Sequence, residues 1–144
     1  MFLSVIVRTL NLWPTVNMKQ ITAAHMVLIH AAVIRRTGGS DGIRELSSLR
    51  SAAALPFQAS FGLELYPTIL QKAAVYARSI MMNHPFVDGN KRTGMSTAIT
   101  FLQLNGYRFN GPRRSIEDFA VKIVVDRLDI EDIAEWFKLH TESV

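Results

Sequence analysis

The sequence predicts an all-α fold: one single-domain bundle of about six helices, with its functional loop held between two central helices. Three observations predict it. The chain has 144 residues, and independently folding units run roughly 100–200 residues, so a second catalytic domain has no room. Hydrophobic residues make up 49% and charged ones 19%, enough for a closed core and too little charge for a disordered chain. Apolar residues also return at helical spacing in successive stretches, each ended by Gly or Pro.

In the first stretch, Met18 to Arg36, the residues Ile21, Ala24, Leu28, Ile29, Ala32 and Val33 recur at helical spacing. Asn17 and Gln20 are placed like an N-cap and its N3 partner, and Gly38-Gly39 ends the helix. A second helix, about Leu46 to Leu55, follows the Gly38–Gly42 loop and stops at Pro56, which cannot continue the hydrogen-bond ladder. Phe57 to Tyr66 is short and contains a glycine, which fits a loop or small hairpin. Pro67 opens a third helix at its first position; Ile69, Leu70, Ala73, Tyr76, Ala77 and Ile80 carry it to about Asn83. The loop His84 to Gly89 interrupts the pattern, and a fourth helix runs from Asn90 to about Leu104, where Asn105-Gly106 supplies a left-handed stop. The last two helices begin at Ser115 and Asp129, each with an acidic residue three positions on, Asp118 and Asp132. No repeat or linker divides the chain, so the expected domain is 18–144, with residues 1–17 an extension that is a short strand or dispensable.

The chain carries 16 Lys and Arg against 12 Asp and Glu, a formal charge of +4. Its adjacent basic pairs, Arg35-Arg36, Lys91-Arg92 and Arg113-Arg114, are scattered, so direct nucleic-acid binding along a basic stripe is not expected. No apolar run approaches the roughly 20 residues that span a bilayer, so no membrane partner is expected. The apolar start lacks the basic residues and cleavage site of a signal peptide. Without cysteine, the chain holds no disulfide, thiolate metal site or cysteine nucleophile, and a cytoplasmic location is the expectation.

One segment breaks the local rules that the rest obeys: Asn83-His84-Pro85-Phe86-Val87-Asp88-Gly89-Asn90-Lys91-Arg92-Thr93-Gly94. Such breaks concentrate at functional sites. Lys91 and Arg92 fall in the first turn of a helix, where the macrodipole is already positive, at a cost of about 0.3–1 kcal/mol each. An anion removes that penalty, since open N–H groups at a helix start bind phosphate and Gly89 allows close backbone approach. Gly94 within the helix costs about 1 kcal/mol relative to Ala and points to something packed against it. Histidine, with an unperturbed pKa near about 6.5, is the residue type best suited to take a proton from a hydroxyl at neutral pH, so His84 is the candidate base. Asp88 is a hard oxygen ligand able to hold Mg²⁺ against phosphates. A base, a metal carboxylate and an anion cradle are the parts for phosphoryl or nucleotidyl transfer. Pro85 limits the loop backbone and Phe86 anchors it in the core.

Elsewhere the ordinary readings prevail. His25, His30 and His140 lack ligand-like neighbours and read as packing or surface residues. Met81-Met82, Tyr66, Trp136 and Phe137 read as core. Gly89 to Ser96 would spell a phosphate-binding Walker loop if Met95 were Lys; it is not, and the preceding element is helical where that motif needs a strand.

The run His84 to Arg92 matches in full the H-x-F-x-D-G-N-K-R signature of the Fic/Doc superfamily, and the sequence resembles its Doc, or death-on-curing, branch. The stretches GGSDGIRELSSLRSA, LELYPTILQKAA, FLQLNGY and IEDIAEWF resemble that branch too, so the likeness covers about Met18 to Leu139. The resemblance implies the Fido fold. It implies ATP and Mg²⁺ as cofactors, with His84 activating the acceptor hydroxyl, Asp88 as metal ligand or positioning carboxylate, and Gly89, Asn90, Lys91, Arg92 and Gly94 around the phosphates.

Adenylyltransferases of the Fic type resemble H-x-F-x-D/E-G-N-G-R-x-x-R, with Gly where this chain has Lys91 and Arg where it has Met95. Both departures disfavour AMP transfer. The resemblance implies instead a toxin that passes the γ-phosphate of ATP to a Ser or Thr of a protein target, elongation factor Tu in the family's known case, and so blocks translation. AMP transfer is the alternative, and a non-enzymatic basic helical domain on DNA is the contrasting class. Fic-type proteins are often silenced by a helix bearing [S/T]-x-x-x-E-[G/N]; here Ser60-Phe61-Gly62-Leu63-Glu64 is followed by Leu65, so restraint is expected from an antitoxin protein in trans.

Overall fold

The computed structural model describes residues 18–144, and the expected extension, residues 1–17, lies outside them. Six α-helices run through the described residues: α1 (Ala23–Thr37), α2 (Leu46–Ala54), α3 (Ile69–Asn83), α4 (Asn90–Leu104), α5 (Arg113–Val125) and α6 (Ile130–His140). The all-α expectation holds. A 3₁₀ turn, Leu55–Phe57, ends α2 at Pro56. The segment expected as a loop or hairpin forms one, β1 (Ala59–Ser60) against β2 (Leu63–Glu64). A second pair was not expected: β3 (Tyr107–Phe109) lies antiparallel to β4 (Thr141–Ser143), with Arg108 opposite Glu142. Among the described residues no helix is long and apolar enough to cross a membrane.

Helix α4 is the axis of the bundle, buried along Thr93, Gly94, Met95, Thr97, Ala98, Ile99, Thr100, Phe101 and Leu102. Helix α3 packs on it closely. A Cβ on Gly94 would stand 2.9 Å from the Ala77 carbonyl oxygen and 2.9 Å from Met81 Cγ. Two turns further on, the Tyr76 and Phe101 rings meet at 5.0 Å. The Tyr76 hydroxyl receives the Ile21 N–H at 3.0 Å and donates to the Ile21 carbonyl at 3.2 Å, which ties the approach to α1 into the core. Phe137 and Ile133 of α6 are fully buried, as their spacing predicts, while Trp136 stacks on Phe119 at 4.1 Å and on His140 at 4.0 Å.

Three helix starts differ from the sequence reading. The cap of α1 is Thr22, whose hydroxyl accepts the His25 N–H while the His25 ring accepts the Thr22 N–H. The usual capping box has Glu or Gln at N3, where this helix has His25. Thr68, not Pro67, sets the start of α3, in a reciprocal pair with Gln71. Helix α5 begins at Arg113 behind Pro112, and Ser115 lies inside it with its hydroxyl on the Pro112 carbonyl. Asp129 caps α6 as expected.

Lys72 of α3 is fully buried. Its ammonium donates to Glu64 Oε1 at 2.9 Å and to the Tyr66 carbonyl, and lies 5.1 Å from the centre of the Phe57 ring. One buried cation thus fixes the base of the β1–β2 hairpin to α3. The tip of that hairpin, Phe61, is fully exposed.

Candidate active site

The end of α3, the start of α4 and the loop after α1 meet at one place. Helix α3 stops because His84 adopts the left-handed conformation, φ 48°, and its N–H closes the last turn on Ile80. Arg44 seals that end, donating from Nε to the His84 carbonyl at 2.6 Å and from NH2 to the Asn83 carbonyl at 2.8 Å. A cation on the last carbonyls of a helix answers both their open lone pairs and the negative end of the dipole. His84 itself is exposed, so a hydroxyl arriving from solvent can reach its imidazole.

Beyond His84 the chain runs extended and borrows partners from the segment 40–45. The Pro85 carbonyl accepts from Arg44 N at 2.7 Å and Glu45 N at 3.1 Å, and Val87 N donates to the Gly42 carbonyl at 3.0 Å, leaving Phe86 opposite Ile43. On its other edge, Phe86 offers an N–H and a carbonyl that are buried. Asn90 takes both: Oδ1 receives Phe86 N–H at 3.0 Å, and Nδ2 donates to Phe86 O at 2.9 Å. The carboxamide stands in for a missing third strand. The Phe86 side chain is buried as expected, stacked flat on His30 with ring centres 3.9 Å apart.

The Asp88 carboxylate is about half exposed and is held by backbone N–H groups, Ser40 at 3.0 Å to Oδ2 and Gly89 at 2.8 Å to Oδ1. These donors, Ser40 first and then Gly89, keep its carboxyl below the usual carboxylate range, and the Arg92 guanidinium 3.7 Å away adds to the effect. The anion is crowded on one side. A Cβ on Gly39, whose φ is 117°, would come within 2.6 Å of Asp88 Oδ2, so only glycine fits there. Among the described residues no group of three or more His, Cys, Asp or Glu side chains converges. A single ionised carboxylate with open lone pairs suits Mg²⁺, which completes its shell from water and substrate phosphates.

Gly89 caps α4 with φ 76°. Behind it the N–H groups of Asn90, Lys91 and Arg92 belong to a first helical turn and have no intrahelical carbonyl to meet. Lys91 is exposed on that turn. Arg92 is better placed than the sequence suggested, because NH1 donates to the Gly38 carbonyl at 2.8 Å and to the Thr37 hydroxyl. Its charge sits at the C-terminal end of α1, where the dipole favours it.

Two of the residues assigned to phosphate binding have other duties. The Asn90 side chain is spent on the Phe86 backbone, which leaves its N–H but not its carboxamide for a ligand. Gly94 is buried one turn further in, and the close neighbour that its presence announced is α3. In the other direction, sequence reasoning missed Gly39, Ser40, Gly42, Arg44 and His30. The Gly38-Gly39-Ser40-Asp41-Gly42 run was visible as a loop, but nothing local tied it to a segment more than forty residues on.

The sequence model of the Fic/DOC family matches residues 20–102. A protein named Toxin Doc, from Mycolicibacterium smegmatis, is 36% identical to this chain over 101 residues, covering 67% of this chain and 76% of its own length. The protein named Protein kinase doc of Escherichia phage P1 is 26% identical over 119 residues, covering 82% of this chain and 92% of its own.

Proposed function

This chain belongs to the Fic/DOC family, and from that premise we propose that it is a death-on-curing toxin that transfers the γ-phosphate of ATP to a Ser or Thr hydroxyl of a protein. The observation that carries the reading is the pairing of an exposed His84 with the open first turn of α4 across a loop pinned on one edge by the backbone of 42–45 and on the other by the Asn90 carboxamide. The names of the two relatives, one a toxin and one a protein kinase, support it.

His84 takes the proton of the acceptor hydroxyl as its oxygen attacks the γ phosphorus and the bond from that phosphorus to the β–γ bridging oxygen breaks, releasing ADP; a positioned base contributes roughly 10²–10⁴-fold. The N–H groups of Asn90, Lys91 and Arg92, with the Lys91 ammonium and Arg92 guanidinium, hold the phosphate oxygens and offset charge that grows on them in the transition state. Asp88, kept anionic by the Ser40 and Gly89 N–H groups, would hold Mg²⁺. Mg²⁺ bound there would supply positive charge against that developing on the phosphates. Lys91, standing where adenylyltransferases have Gly, fills space next to that turn and selects which phosphorus faces the acceptor. The target by resemblance is elongation factor Tu, the location the cytoplasm, and the restraint an antitoxin that binds in trans.

The test is incubation with a translation extract and ATP labelled at either the α or the γ position. Label transfer from γ alone, lost in His84→Ala, is the expected result; transfer from α assigns the chain to AMP transfer. Lys91→Gly should weaken γ-transfer, and if transfer survives unaltered the role given to Lys91 is wrong. Expression should arrest growth, with rescue by the product of the neighbouring gene.

A further inference from the structure

His30 is a buried histidine that neither the signature nor the reaction above uses. It lies on α1, and its Nε2 stands 2.8 Å from the Asp88 carbonyl oxygen. A carbonyl only accepts, so Nε2 carries the proton. Its other nitrogen, Nδ1, stands 3.8 Å from the exposed Asp41 carboxylate. The ring is laid against Phe86 with an interplanar angle of 3°.

The Asp88 carbonyl and the Gly89 N–H are two ends of one planar trans peptide. Where the carbonyl points, the N–H points the other way, and that N–H is one of the two that hold the Asp88 carboxylate. Gly89, with positive φ, belongs to the residue type that lets the peptide before it turn over at low cost. The bond from His30 opposes that rotation.

We propose that His30 is a positioning residue for the reaction: through Nε2 it locks the Asp88–Gly89 peptide in the orientation that aims the Asp88 carboxylate and opens the first turn of α4. The role in catalysis rests on the function proposed above, while the lock itself does not. Partners that orient a metal-binding group govern metal affinity or activity by about 10–100-fold.

The test compares His30→Phe, which keeps a flat ring on Phe86 and removes the donor, with His30→Gln, whose carboxamide can donate. Amide hydrogen exchange followed by NMR on the full chain should show Gly89 exchanging about tenfold faster in His30→Phe, the effect of one lost restraint. The Mg²⁺ concentration for half-maximal phosphotransfer should rise about 10–100-fold in the same variant, and His30→Gln should recover most of both. Unchanged Gly89 exchange in His30→Phe, or His30→Gln behaving like His30→Phe, overturns the proposal. Should His30→Phe fail to fold, the ¹⁵N spectrum of the wild-type imidazole decides, because an unprotonated Nε2 overturns the proposal and a protected Nε2 proton supports it. A wild-type protein that transfers no phosphate sinks the kinase reading alone, and Gly89 exchange still judges the lock.

Discussion

Asn90→Ala separates two roles for the same side chain. If its carboxamide served the nucleotide, its loss would weaken binding and leave the fold intact. The structure assigns it to the Phe86 backbone, where it satisfies one donor and one acceptor, and Phe86 is 1% exposed, so water cannot replace it. Each orphaned buried group costs about 1–3 kcal/mol, which puts the total for the two at about 2–6 kcal/mol. For a chain of this length the melting temperature should fall by about 6–24 °C. Thermal unfolding followed by circular dichroism reads this directly. Asn90→Asp keeps an acceptor for the Phe86 N–H but sets an anionic oxygen against the Phe86 carbonyl, so it should also be destabilised. An Asn90→Ala protein that melts within about 2 °C of wild type, yet binds ATP poorly, would refute the clamp and return the side chain to the ligand.

His84→Asn should abolish phosphotransfer while leaving the melting temperature nearly unchanged, since asparagine tolerates the left-handed backbone at that position; a large stability loss would mean the ring has a structural role. Asp88 has a depressed carboxyl pKa, so its stabilising effect is present above the ordinary aspartate value of about 3.9 and disappears as pH falls through its lower folded value. Wild type should therefore exceed Asp88→Asn in stability at neutral pH, and the gap should close below about pH 4; a gap constant from pH 6 to 3 would contradict the N–H assignment. Lys72→Met removes the donor for Glu64 and Tyr66 but leaves no buried charge behind, so the loss should be about 1–2 kcal/mol. Hydrogen exchange should rise in residues 59–66 and not in α3 and α4, and equal protection of the hairpin in both proteins would count against the anchor.

What the sequence made legible follows from the range of the interactions involved. Helix periodicity is local, and so all six helices among the described residues lie close to where the spacing of residues such as Ile133 and Phe137 puts them. Caps are local too, but Thr22 pairs with His25 and Thr68 with Gln71, and at α1 an unusual N3 residue hid the true start. The β3–β4 pair joins residues more than thirty apart, with nothing in Tyr107–Phe109 alone to announce its partner. At the site, the signature residues were visible, whereas the residues that hold them were not. Gly39 and Ser40 look like ordinary loop residues until Asp88 is brought beside them. His30 looked like packing, which its stack on Phe86 satisfies, and its bond to Asp88 depends on a fold that brings residues 58 positions apart together.

The backbone from His84 to Asn90 is stitched along both edges, by 40–45 on one and by Asn90 and His30 on the other. Such a segment is stiff before any substrate arrives, so the work of ordering it is done once, during folding, and not repeated in each turnover. Under the function proposed above, adjustment to a nucleotide would fall to the side chains left exposed beside it, chiefly Lys91. A molecule that blocks the proposed activity would gain little by bending the loop and most by covering its open side.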